Sequence, residues 1–296
     1  MSDTVESLSR KISSAGDLQS VVRTMKALAA SSIGQYEKSV RALADYYRTV
    51  EFGLGVCFRE SERAGFVAEP KTPIDGSVSA IVFGSDQGLV GQFNDVVADF
   101  AIKSLSILPG KAEVWAVGER VHARLSDAGV NLRGLFAVPG SVQAITPLVG
   151  QIQIESEAHR AKTGNTEVRV FHNRPLSGSL YEPVQQRLLP LDATWRHTLA
   201  ERAWPTANLP EVIGTGAAAL HALIREYLFI SLFRACAESL ASENASRLAA
   251  MERADKNIKD LLEQLHGTFH QLRQDGIDEE LFDVVSGFEA LLGSCQ

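Results

Sequence analysis

Over the last third of the chain, apolar residues recur at alternating steps of three and four. Leu220, Leu223, Tyr227, Ile230, Ala237 and Leu240 are followed by Leu248, Met251, Ile258, Leu262, Leu265, Phe269 and Leu272. This spacing keeps one stripe on one side of a helix and calls for a partner helix rather than a sheet. Read from about Asn208 to Leu292, a single helix rising about 1.5 Å per residue would reach roughly 120 Å, several times the width of an ordinary domain. That length suits a shaft better than the core of a globular enzyme.

A stripe of the same kind opens the chain. It predicts a first helix from about Asp3 to Cys57, with Asp3 as N-cap and Glu6 as the reciprocal acceptor three residues on. Leu18, Val22, Met25, Ala29, Ser32, Tyr36, Val40, Leu43, Tyr47, Val50, Leu54 and Cys57 make its inward face. Outward positions are largely basic, including Arg10, Lys11, Arg23, Lys26, Lys38, Arg41 and Arg48. Both helices join one intervening domain, so the second is expected to return antiparallel to the first. It is longer by about 25 residues and should project beyond its partner. The surplus carries Leu281, Val284, Val285, Phe288, Leu291 and Leu292 beside an acidic face of Asp275, Asp278, Glu279, Glu280, Asp283 and Glu289. An apolar end without a partner in its own chain needs cover from other subunits.

Between the two helices the texture changes. Pro70 and Pro73 mark a linker. Strands are expected at 77–83, 111–117, 132–136 and 168–172, with an edge strand at 187–190, and helices at 94–108, 119–128 and 142–161. Strands alternating with helices indicate a largely parallel, Rossmann-like sheet with helical layers. The fold class is therefore α/β, a long antiparallel coiled coil with an α/β domain between its arms, divided at 1–58, 74–205 and 208–296. Asn208-Leu209-Pro210-Glu211 supplies a start signal for the last helix, while Gly214 and Gly216 leave its true start open.

Composition narrows the function classes. With 45% hydrophobic and 22% charged residues, the chain has the makings of a core, not of a disordered segment. A net charge of −7 argues against nucleic acid as a partner. No apolar run is expected to approach the roughly 20 residues that span a bilayer. The opening Met1-Ser2-Asp3-Thr4 shows no export or organelle signal. Cys57, Cys236 and Cys295 lie far apart and read as reduced thiols of a cytoplasmic protein.

Candidate chemistry is sparse. Gly84, Gly88 and Gly91 lie between a strand and a helix, but their spacing matches neither G-x-G-x-x-G nor a Walker loop; tight-turn glycines are the favoured reading. His266 and His270 sit four apart on a helix without an evident third ligand. Asp278, Glu279 and Glu280 read as a solvated face, and Asp86 as a turn former. No Ser/His/Asp or Cys/His arrangement stands out. No catalytic, cofactor-binding or metal-binding residue is assigned.

Four blocks then carry a resemblance. They are Lys11-Ile12-Ser13-Ser14 with Gln19 and Thr24-Met25-Lys26-Ala27-Leu28-Ala29-Ala30-Ser31; the turn Ser85-Asp86-Gln87-Gly88-Leu89-Val90-Gly91-Gln92-Phe93-Asn94; Ser242-Glu243-Asn244-Ala245-Ser246-Arg247-Leu248-Ala249-Ala250-Met251 with Ala254 and Asn257; and Arg273-Gln274, Ile277 and Val284-Val285-Ser286-Gly287. In this order, over nearly all 296 residues, the chain resembles the gamma subunit of F-type ATP synthases, the central rotor stalk. The resemblance implies a non-catalytic shaft inside a ring of alpha and beta subunits, with the middle domain as a foot on the membrane ring of c subunits and epsilon as a further partner. It implies a peripheral place on the cytoplasmic face of a bacterial inner membrane, no cofactor, and no nucleic acid. It carries ring contacts over to Met25, Arg247, Arg273, Gln274 and Glu280. Gly16, Asp17 and Ser20 stand where the family is usually rich in lysine and asparagine, Gln87 where its turn has arginine, and Asp278 where it has threonine near the tip. These departures suit a divergent or alternative-operon member. Two other readings compete: an enzyme whose α/β domain binds a nucleotide and whose helices dimerise it, and a free coiled-coil scaffold.

Overall fold

A computed structural model describes residues 4–63, 78–108, 110–164, 167–176, 180–208, 210–212 and 215–293, with the side chains of these residues except 62–63 and 287–293. The Asp3 cap, the linker prolines Pro70 and Pro73, Leu209, Gly214, Cys295 and the side chains of Phe288, Glu289, Leu291 and Leu292 lie outside the described residues. The fold class read from periodicity holds: long N- and C-terminal helices flank an α/β domain in the chain. The residues cluster into two compact units, 1–28 with 248–296, and 29–247.

In the first unit, the start of α1 (Val5–Arg63) packs on the later part of α6 (Gly216–Gly293). Thr4 Oγ1 accepts the Ser7 N–H at 3.2 Å and so caps α1 in the way expected of Asp3. Arg23 Nε meets Asp255 Oδ1 at 3.2 Å and Lys26 Nζ meets Glu252 Oε1 at 3.5 Å. One number climbs as the other falls, so the helices are antiparallel. Leu8, Ala15 and Met251 are buried in the seam, and Ile12, Gln19, Val22, Ile258, Leu262, Leu265, Phe269 and Leu272 are half-buried. Leu18, expected on the inward face, is 59% exposed. Gln19 and Ala15 hold the seam instead, which turns Leu18 about one residue, or 100°, away from it.

The second unit holds a five-stranded sheet in the order β3-β2-β1-β4-β5. β1 (Val78–Phe83), β2 (Ala112–Val117), β3 (Leu132–Phe136) and β4 (Glu167–Pro175) run parallel, and β5 (Tyr181–Leu189) pairs antiparallel to β4. Side chains alternate across the sheet. Ile81, Phe83, Trp115, Val117 and Val170 face a core shared with Tyr36, Val50 and Leu54 of α1, with Ile145 and Ile152 of α4 (Val142–Thr163), and with Ile230, Phe233 and Ala237 of α6. Ala80, Val82, Val114, Ala116 and Phe171 face the other way, onto α2 (Phe93–Ser106) and α3 (Glu119–Asp127). Burial on both faces is why β1 and β2, Ser79 and Glu113 apart, read as apolar runs rather than alternating ones. Within this unit α1 and α6 are again antiparallel: Tyr46 Oη donates to Glu226 Oε1 at 2.7 Å, and Gly53 lies against Leu223.

Three differences from the expected elements have local causes. β5 begins at Tyr181, well before 187, because its polar residues (Glu182, Gln185, Gln186) suit a half-buried edge and hide its period. Pro183 is tolerated there for the same reason. The short helix α5 (Ala193–Glu201) was not expected; Asp192 Oδ2 accepts the Trp195 N–H at 2.9 Å and caps it. α6 starts at Gly216 rather than near Asn208, with Thr215 Oγ1 within 3.4 Å of the Ala218 N–H. α6 also contains a stretch of mean hydropathy 1.3, which by length and composition alone is enough to cross a membrane. Arg225 and Glu226 interrupt its apolar residues, and Tyr227, Leu228, Ile230, Leu232 and Phe233 are buried in the protein's own core.

Gly84, which opens the turn after β1, serves close packing. A Cβ at Gly84 would lie 2.4 Å from Val121 Cβ and 2.8 Å from Asn94 Oδ1. Gly84→Ala is expected to cost about 1–3 kcal/mol, read as a lower chemical-denaturation midpoint. Gly118 adopts φ +115° beside the Ser85 backbone, which closes the same corner.

Candidate partner-binding surface and helix-docking site

In the first unit, the register set by Arg23–Asp255 and Lys26–Glu252 brings Val5 opposite Arg273. Beyond that point α6 has no α1 residue beside it among the described residues. There Ile277, Leu281, Phe282, Val284 and Val285 are exposed, Phe282 to 72%. A contiguous apolar helix face in water is the mark of an interaction surface. Arg273, Gln274 and Glu280 are exposed on the same stretch of α6. Met25 is half-buried on α1, in line with exposed Leu18, Val21 and Leu28 at steps of three and four. The structure therefore sets four of the five predicted contact residues beside exposed apolar groups of this unit.

Arg247 differs. It belongs to the second unit, its side chain is only 12% exposed, and Nη2 donates to Glu243 Oε1 at 2.6 Å. Burial pushes the Glu243 carboxyl above its usual range, and Arg247 offsets this only in part. The pair lines a cavity of about 210 Å³ together with Tyr36, Asp86, Gln87 and Asn244. Asp86 is structural here, as a turn-forming residue would be. Oδ1 accepts the Glu119 N–H at 3.0 Å and Oδ2 the Val138 N–H at 2.8 Å, which ties the turn to the start of α3 and to the segment just after β3. His266 and His270 stack on α6 with ring centroids 6.4 Å apart. Among the described residues, no group of three His, Cys, Asp or Glu side chains could hold a metal ion.

A second arrangement escaped the sequence reading. Glu238, Ser242 and Ser246 recur every four residues on α6, and all three are buried. Glu238 Oε2 lies 2.8 Å from His172 Nε2 within β4, and Oε1 accepts Arg234 Nε at 2.7 Å. Ser242 Oγ donates to the Asn173 carbonyl at 3.0 Å, and Ser246 Oγ to the Val90 carbonyl in the glycine-rich turn at 2.5 Å. Burial alone would raise the Glu238 carboxyl; the hydrogen bonds from His172 and Arg234 outweigh it and hold it below the usual range. Glu113 behaves alike: burial opposes its ionisation, and Arg133 and His159 more than compensate. The available signal was an acidic residue and two serines at helical spacing; the pairing with His172, 66 residues away in the chain, left none.

Comparison with known proteins agrees with this architecture. The sequence profile of the ATP synthase family matches residues 4–291. The ATP synthase gamma chain of Bdellovibrio bacteriovorus is 26% identical, over 98% of this chain and 99% of its own. That of Methylobacillus flagellatus is 25% identical, over 95% and 97%. A chain in the Euglena gracilis mitochondrial ATP synthase (OSCP/F1/c-ring, rotational state 3) shares the fold with a TM-score of 0.65 at 14% identity, covering 99% of this chain and 96% of that one. A chain in the central stalk and c-ring of the Tetrahymena thermophila mitochondrial ATP synthase has a TM-score of 0.59 at 19% identity, covering 79% and 99%. The profile runs through both terminal helices and the sheet between them, and on that span the chain belongs to the ATP synthase family as a gamma subunit.

Proposed function

We propose that the chain works as the central-stalk rotor of an ion-translocating ATP synthase, coupling ion flow through a membrane ring of c subunits to ATP synthesis or hydrolysis on alpha and beta subunits. The observation that carries this reading is the bare apolar stretch of α6 from Ile277 to Val285, which needs neighbouring proteins to cover it. A helix pair that turns inside a ring of like pockets offers each a different face, and so biases each toward a different state. The chain makes and breaks no bonds of its own. In this reading 1–58 and 208–296 form the shaft and 74–205 the foot, which meets the c-ring and epsilon. Met25, Arg273, Gln274 and Glu280 meet the alpha/beta ring, Arg273 through carboxylates or carbonyls, while Arg247, turned inward onto Glu243, is left out of this set. The complex is peripheral to the membrane, on the cytoplasmic side of a bacterial inner membrane.

Co-purification of the full chain with alpha, beta and epsilon subunits tests the assignment; nucleotide binding by the isolated chain without such partners would overturn it. Truncation after Gln274 is expected to lower the yield of assembled complex or the ions moved per ATP, while the sheet unit keeps its thermal transition. Full coupling in that truncation would refute a working role for the tip.

A further inference from the structure

The apolar contacts that hold α6 on the sheet fix how the helix is turned less sharply than directional bonds do. Burial is non-directional and roughly proportional to area, so small rotations change it little. Hydrogen bonds weaken steeply with angle and distance. Glu238, Ser242 and Ser246 place three such bonds on successive turns along one line of the helix, spanning about 12 Å. Their partners are three separate backbone or ring positions: the His172 imidazole, the Asn173 carbonyl and the Val90 carbonyl. The receiving side is itself held. Asn173 Nδ2 donates to the Phe93 carbonyl at 2.9 Å, and Ser85 and Asn94 bond each other across the turn at 2.9 and 2.8 Å. A slip of one residue would turn the helix by about 100° and break all three contacts together.

We infer that Glu238, Ser242 and Ser246 are positioning residues that key the rotational register of α6 to β4 and the glycine-rich turn, so that twist applied to the helix is passed to the sheet. The inference rests on the rotor reading and adds to it the place where torque crosses from helix to sheet. Packing supplies the adhesion and the polar row supplies the angle. Ser242 and Ser246 are small, so their hydroxyls can be removed with little change in volume.

The test uses the double variant Ser242→Ala/Ser246→Ala, with Ser246→Thr as the variant that keeps a hydroxyl. In the isolated full chain, amide hydrogen exchange over 238–247 is expected to rise about fivefold or more for each bond lost, with helix content unchanged. In the complex with alpha, beta, epsilon and the membrane sector, ATP hydrolysis should persist while the ions moved per ATP hydrolysed fall. Ser246→Thr should keep the wild-type ratio. Unchanged exchange would show that the row does not hold the helix. Faster exchange with an unchanged ion-to-ATP ratio would show that the row is packing alone; either result overturns the inference. Failure of the unmodified chain to assemble with alpha and beta would instead count against the rotor reading itself.

Discussion

Replacing Glu238 by alanine is expected to destabilise the α/β unit by about 1–3 kcal/mol, the usual cost of leaving a buried hydrogen-bonding group without its partner. Its carboxylate is almost fully enclosed and satisfies His172 and Arg234 at once. Without it the His172 Nε2 loses its partner in a site only 5% exposed, while the more exposed Arg234 can turn to water. The effect should be read from the denaturation midpoint of the sheet unit, since the two compact units need not unfold together. It also has a pH signature. The folded carboxyl titrates below its ordinary value of 4.5. The stability it contributes is therefore present above about pH 4.5 and is lost as pH falls through the folded value. Glu238→Gln should lose less stability than the wild type on acidification across that window. An equal loss in both would show that the Glu238 carboxylate does not carry this share of the acid sensitivity.

Phe171→Ala is expected to cost about 3–5 kcal/mol through lost transfer energy and the cavity left behind. The ring is fully buried on the α2/α3 face of the sheet with Val82, Ala116, Val97 and Ala98. It stands edge-on to Phe100, with centroids 6.2 Å apart and an interplanar angle of 70°. Phe100 is only partly buried and α2 is short, so partial collapse onto the site would bring the cost toward the lower end. Equilibrium denaturation would measure it, and a loss below about 1 kcal/mol would mean that α2 closes the cavity almost completely.

Much of this architecture was legible before folding was considered. The steps of three and four from Tyr36 to Leu54 and from Met251 to Leu272 describe faces that are buried or half-buried in the structure. The runs at 78–83 and 112–117 are strands covered on both sides. Leu18 shows where periodicity alone fails. Leu18 and Gln19 both fit a helical repeat, and the antiparallel partner decides which of them faces the seam. β5 was half-hidden because an edge strand needs little apolar character. The exposed end of α6 was foreseen, since a surplus of helix with an apolar face has no mate among the described residues.

Local pattern thus settled the kind of elements, their order and the unmatched length of the last helix, because helix and strand periods are properties of neighbouring residues. Folding decided what the polar residues inside those elements do. Glu238, Ser242 and Ser246 look like ordinary helix residues until β4 and the turn after β1 arrive beside them. Arg247 looks like surface charge until Glu243 turns it inward. Hydrogen bonds between positions 66 to 156 residues apart in the chain leave no periodic trace, since each depends on where two segments meet in space.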